Sequence, residues 1–193
     1  MSLSAIFSRK TLGAIFAGFT LCVGSVVGGL AISAQIRLRV NAQPVVQPSR
    51  VIAVHSLNED PRPGILDGIK IAKKEILISA RTLGWENVLN ALKARADAGV
   101  RVVVLLDGAT NNDTLRGPLG WLIHYKVGEV FTSSPSLQEQ VMIIDRTFVI
   151  VSSAPWVPGT PKIGVTFFMS DPAAALEYLK GYEKALTQAS KFL

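Results

Sequence analysis

Residues 101–107, Arg-Val-Val-Val-Leu-Leu-Asp, constrain the fold more than any other stretch of the chain. Five consecutive aliphatic residues leave no polar face, so as a strand this run must be buried on both sides. Burial on both sides requires helices above and below a sheet. The flanking sequence supplies them. Residues 50–54 read as a first strand, and residues 63–74 as a helix with Ile65, Leu66, Ile69 and Ile71 on its apolar side. Residues 75–79 form a second strand. Residues 86–98 form a second helix, with Val88, Leu89 and Leu92 apolar and Gly99 as its stop. Strands and helices in alternation predict an α/β domain with a central sheet.

Beyond Asp107 the chain is polar and turn-rich to Asp113. A helix is then predicted over 115–124, its start disturbed by Gly117-Pro118. Residues 141–144 and 148–151 read as two strands of one hairpin turning at 145–147. Pro155, Pro158, Gly159 and Pro161 mark a loop that cannot be a central strand. Residues 163–169 are strand-like, and Ser170-Asp171-Pro172 opens a last helix reaching about Ala189, with Leu176, Leu179, Tyr182 and Leu186 on its period.

The hairpin and its flanks, LQEQVMIIDRTFVIVSSAPW over 137–156, align without a gap on H-x-K-x4-D-x6-G-S-x-N. The chain thereby resembles the phospholipase D superfamily, nearest to its Nuc-type branch with one motif per chain. On that register Gln138 takes the His position, Gln140 the Lys, Asp145 the Asp, Ser152 the Gly, Ser153 the Ser and Pro155 the Asn. Only Asp145 and Ser153 match. The resemblance extends over most of the chain beyond Arg50, including the closing helix, and implies a phospholipase D-like domain with a mixed sheet flanked by helices.

The chemistry implied by the resemblance is covalent catalysis. One imidazole attacks phosphorus, and a second His protonates the leaving oxygen. Gln138 can do neither, because an amide is no useful nucleophile and does not titrate near neutral pH. A neutral Gln140 likewise cannot replace an ammonium beside phosphoryl oxygens. The site is therefore expected to be catalytically dead by this route. No internal repeat is visible, so the resemblance also implies a homodimer in which the two Gln138 hairpins meet at the two-fold axis.

The amino terminus sets the compartment. Residues 11–36 carry no charge, a length beyond the roughly 7–15 apolar residues of a signal peptide and sufficient for the about 20 of a membrane span. The expected organisation is a tail over 1–10, a transmembrane signal-anchor over 11–36, a linker over 37–50 and the phospholipase D-like domain over 51–193. A cleaved signal peptide is the alternative, since Ala31-Ile-Ser33 offers small residues suited to processing. Arg9 and Lys10 compete with Arg37, Arg39 and Arg50, so the positive-inside rule does not decide orientation cleanly. The expectation is a single-pass inner-membrane protein with a periplasmic domain. Cys22, the only cysteine, lies inside the uncharged run, which excludes disulfides within the domain.

The net charge of +6 suggests a nucleic-acid binder until it is divided by region. Residues 1–50 hold five of the 20 basic residues and none of the 14 acidic ones, leaving 15 against 14 beyond them. Strong nucleic-acid binding rests on neutralised phosphates, so it is not expected of the isolated domain. Lys70, Lys73 and Lys74 read as a solvated helix end.

Asp145 at a hairpin turn reads as a turn residue, and Ser153 needs no function at a strand end. An unconventional residual anion site from His55, Asp145 and Ser153 is the sharper alternative, with His55 at the carboxyl end of its strand. No metal-ligand spacing, phosphate-binding loop or dinucleotide fingerprint occurs, so no metal or cofactor is expected. The leading expectation is a membrane-anchored pseudoenzyme docking other subunits of an envelope assembly, since Nuc-type genes often accompany secretion and conjugation machineries. The alternative is a divergent phosphodiesterase, nuclease or phospholipase, or a module that binds phosphate or lipid without turnover.

Overall fold

The aliphatic run becomes the interior of an eight-stranded mixed sheet. In the computed structural model β3 (Arg101–Asp107) is flanked in parallel by β2 (Glu75–Ala80) and β4 (Glu129–Ser133). The hairpin β5 (Gln140–Ile144) and β6 (Phe148–Ser152) joins antiparallel to β2. β7 (Val165–Ser170) and β1 (Arg50–His55) complete that side, and β8 (Ala189–Lys191) closes the other. The order is β1-β7-β6-β5-β2-β3-β4-β8. The structure describes residues 50–56, 59–138, 140–159 and 164–192, all within the unit Pro48–Leu193. The expected tail, anchor and nearly all of the linker lie outside the described residues. No helix among the described residues is long and apolar enough to cross a membrane.

Alternation along each strand builds two cores. Ile76, Ile78, Val102, Val104, Leu106, Met142, Ile144 and Ile150 face α1 (Arg62–Ile71), α2 (Glu86–Asp97) and α3 (Gly117–His124), which supply Ile65, Ile69, Val88, Leu92, Leu119 and Leu122. Leu77, Val103, Leu105, Val141, Ile143 and Val149 face α4 (Pro172–Leu186), which supplies Ala175, Leu179 and Tyr182. Each fully buried aliphatic side chain stabilises the fold by about 1.5–3 kcal/mol. β3 is thus covered on both faces, as its composition requires.

Several elements depart from the sequence expectation for local reasons. The first helix ends at Ile71 rather than Lys74, because Asp145 takes the amides of Lys73, Lys74 and Glu75 out of the helix. Ile71, the last residue of the helix and about 200° round it from buried Ile69, is not on the core face and is 58% exposed. Gly117-Pro118 opens α3 instead of disturbing it: Gly117 turns at φ 63° and Pro118 sits in the first turn, where its missing N–H is harmless. The last helix is capped by Asp171, whose carboxylate accepts from the Ala173 and Ala174 amides. It stops at Leu186, and residues 189–191 pair with β4 as β8. Leu176, expected on the apolar side of that helix, is 51% exposed.

Candidate functional site

The strand register divides the motif between opposite ends of the sheet. Gln140 lies beside Ser152 and Ala80, and Ser152 beside Thr166, at the end where His55 also sits. Asp145 follows the last residue of β5, at the end where Arg50, Phe148 and Ser170 line up. The two ends are about 20 Å apart at roughly 3.4 Å per strand residue.

At the first end, the carboxylate of Asp107 organises the loop that delivers Gln138. Asp107 is fully buried at the tip of β3. Its Oδ1 accepts from the Thr110 amide at 2.8 Å, and its Oδ2 accepts from Ser136 Oγ at 2.8 Å and the Leu137 amide at 2.7 Å. Burial pushes this carboxyl up, but the Ser136 hydroxyl and the Leu137 and Thr110 amides outweigh it and hold Asp107 below the usual carboxylate range. Asn111 Nδ2 donates to the carbonyls of Arg81 and Asp107, locking the neighbouring loop. Gln138 itself is exposed, its Nε2 donating to Ser136 Oγ at 3.3 Å. No motif in the sequence marks Asp107. Its only signal there is a carboxylate closing an aliphatic strand at the end where α/β sheets place their sites.

Gln140 is buried, 2% exposed, and its Oε1 accepts a long 3.5 Å bond from the Thr82 amide. Ser152 is saturated: its hydroxyl donates to the Ala154 carbonyl and accepts from the Ala154 amide and Thr166 Oγ1. It clasps the strand end and leaves no capacity for an anion. Ser153 is exposed, its Oγ accepting from the Val165 amide at 3.1 Å. Pro155 precedes Trp156, which bridges to Leu83. A cavity of about 500 Å³ opens beside Gln138, lined by Ser79, Ser136, Leu137, Val141, Tyr178 and Tyr182 among others.

Asp145 belongs to a different piece of machinery. It and Arg146 are the central residues of the turn over 144–147, both at positive φ, 50° and 58°, within the three-residue connection between β5 and β6. The Asp145 carboxylate accepts from the amides of Lys73, Lys74 and Glu75 at 2.8, 2.7 and 3.0 Å, while the Asp145 amide donates back to the Glu75 carbonyl. Burial raises its pKa, yet the Glu75, Lys73 and Lys74 amides prevail and hold it below the ordinary value. The turn reading of this residue describes its environment, and the expected trio of His55, Asp145 and Ser153 is not assembled. His55 and Ser153 share an end and flank Val165, whereas Asp145 is at the other. Among the described residues no three His, Cys, Asp or Glu side chains gather as a metal site.

Residues 65–160 match the family profile described as cardiolipin synthase, PLD-like domain. The chain belongs to the phospholipase D-like superfamily. The phospholipase D family member Nuc from Salmonella typhimurium superposes with a TM-score of 0.67 at 20% identity, covering 75% of this chain and 98% of that one. NucT from Helicobacter pylori gives 0.66 at 19%, covering 75% and 99%. Phosphatidylserine synthase from Haemophilus influenzae gives 0.54 at 10%, covering 75% of this chain but only 40% of its own. No curated protein sequence matches the chain significantly. The phospholipase D-like domain thus has the mixed α/β fold expected from the motif, and the profile covers the motif from before Gln138 to beyond Pro155.

Proposed function

We propose that the chain is a membrane-anchored, catalytically inactive phospholipase D-like protein that serves as a structural or docking component of an envelope assembly, such as a secretion or conjugation system. The observation that carries this reading is the pair Gln138 and Gln140. Gln138 is exposed at the mouth of the cavity and Gln140 is buried two residues on, both on the register of the reactive residues, and neither amide can attack phosphorus or protonate a leaving group. The uncharged run over 11–36 supplies the anchor, with the domain on the periplasmic side. A homodimer about the Gln138 hairpins follows from the single motif per chain.

A second reading, ligand binding without turnover, is favoured by the open cavity beside Gln138 and by Asp107 keeping its rim ordered. The test separates the two. Purified protein is assayed without metal on DNA, RNA and phosphatidyl esters, and its affinity for the uncleaved compounds is measured in parallel. No turnover is expected. Hydrolysis that survives repurification would overturn inactivity, and tight binding without hydrolysis would replace docking by the second reading.

A further inference from the structure

Charge is distributed unevenly along the strands. The end where Arg50 enters the sheet presents exposed Lys73, Lys74, Arg101, Lys126 and Arg146 on four separate loops and strand ends. The carboxylates nearest these cations are engaged within the fold, apart from exposed Glu183, which acts electrostatically on Arg146. Asp145 is spent on three backbone amides, Glu75 pairs with Arg101 and Arg146, and Glu129 pairs with Arg101 and Lys191. Lys73, Lys74 and Lys126 form no ion pair among the described residues. At the same end two side chains stand out of the core: Ile71, 58% exposed, and Tyr125, 47% exposed. A domain almost balanced in charge has therefore gathered three unpaired lysines, an aliphatic and a tyrosine at one end.

We infer that this end is a docking surface for an anionic phospholipid bilayer, the one in which the chain is anchored. The inference rests on the anchor proposed above. The tether reaches the domain at Arg50, on this end, and the linker over 37–50 spans at most about 50 Å at roughly 3.5 Å per residue. Tethering at that point keeps the basic end at high effective concentration beside the headgroups. Lysines then attract anionic lipid, while Ile71 and Tyr125 have the character of residues that settle at the headgroup boundary. A nucleic acid would use the lysines but gives an exposed isoleucine no role. Docking in this pose points Gln138 and its cavity away from the bilayer.

The test uses the full chain carrying Cys22→Ser, with one cysteine introduced at Ile71, Tyr125 or Gln138 and labelled with an environment-sensitive fluorophore. The protein is reconstituted in nanodiscs of phosphatidylcholine alone or of phosphatidylcholine and phosphatidylglycerol in equal parts. Blue-shifted emission at 71 and 125, only with phosphatidylglycerol and abolished by Lys73→Glu with Lys74→Glu, is expected, with 138 unchanged. Identical emission in both lipids, or a shift at 138 alone, would overturn the proposal. If the chain fails to enter nanodiscs, the anchor reading fails separately. The surface is then tested by sedimenting the same protein with vesicles of the mixed composition. Binding that weakens about fivefold or more per lysine reversed upholds it, and no binding overturns it. Single-stranded DNA displacing the protein from those vesicles assigns the surface to nucleic acid and also overturns it.

Discussion

The carboxylate of Asp107 and the backbone amide of Leu137 are 2.7 Å apart, a bond joining the end of β3 to the residue just before the motif. Asp107→Asn retains the shape but cannot accept equally from Thr110, Ser136 and Leu137. It is expected to cost on the order of 2 kcal/mol in chemical denaturation. Faster amide exchange is expected over 134–138, with the α1 and α2 amides unchanged. Uniform change throughout the domain would show that Asp107 does not order this loop in particular.

Asp145→Ala removes the acceptor for three amides and is expected to destabilise the domain by on the order of 2–4 kcal/mol. Because folding lowers the Asp145 pKa, its contribution is complete above the ordinary Asp value and lost as pH falls through the folded one. Asp107 is shifted in the same direction. Wild-type stability should therefore decline on acidification below about pH 4. Asp145→Ala should show a shallower decline, read from urea midpoints at several pH values.

Gly128, at φ 62°, has the Val102 carbonyl oxygen 2.0 Å from where a Cβ would stand. Gly128→Ala forces backbone apart at the entry to β4, and a loss of roughly 3 kcal/mol or more is expected in thermal unfolding. A change of only a few tenths would refute the close approach.

For the dimer, Gln138→Cys in a Cys22→Ser background is expected to form an intermolecular disulfide under mild oxidation, since paired hairpins would bring two Cβ atoms to about 4 Å. Cysteine at Arg146, on the opposite end of the sheet, should not. Equal cross-linking at both positions would argue for random collision instead of a two-fold contact at Gln138.

Gln138→His with Gln140→Lys, Ser152→Gly and Pro155→Asn rebuilds the family pattern. Weak phosphodiesterase turnover, or a trapped phosphohistidine, is the expected gain. Ser152→Gly also strips the clasp on Ala154 and Thr166, so the quadruple variant should be less stable than wild type. Incubation with a labelled phosphodiester, followed by measurement of acid-labile label on the protein, gives the reading. A folded quadruple variant that neither takes up label nor turns over would show that the cleft no longer holds these four positions in a reactive arrangement.

The fold was legible because binary patterning and element order agree. An aliphatic β3 demanded cover on both faces, and the helical periods of α1 and α2 supplied one of them. What escaped the sequence depends on contacts distant along the chain. The early end of α1 is set by Asp145, more than seventy residues away, and β8 is too short for a pattern of its own and exists through β4. At the site, the motif placed Gln138 and Gln140 and the predicted turn put Asp145 at the far end of their strand, but which end His55 shares is set by the pairing of β1 with β7, which no local pattern shows. Asp107 escaped because a single carboxylate after an aliphatic run looks like an ordinary strand terminus until the loop that it holds is seen.

The separation between Gln138 and Asp145 makes the signature a composite of two devices sharing one strand. One half presents side chains to a cavity, while the other fastens a hairpin to the segment between α1 and β2. Substitutions in the first half therefore leave the fastening untouched, and a chain can shed the reactive portion while its skeleton stays recognisable. A match at Asp145 testifies to architecture, and activity has to be judged at Gln138 and Gln140 alone.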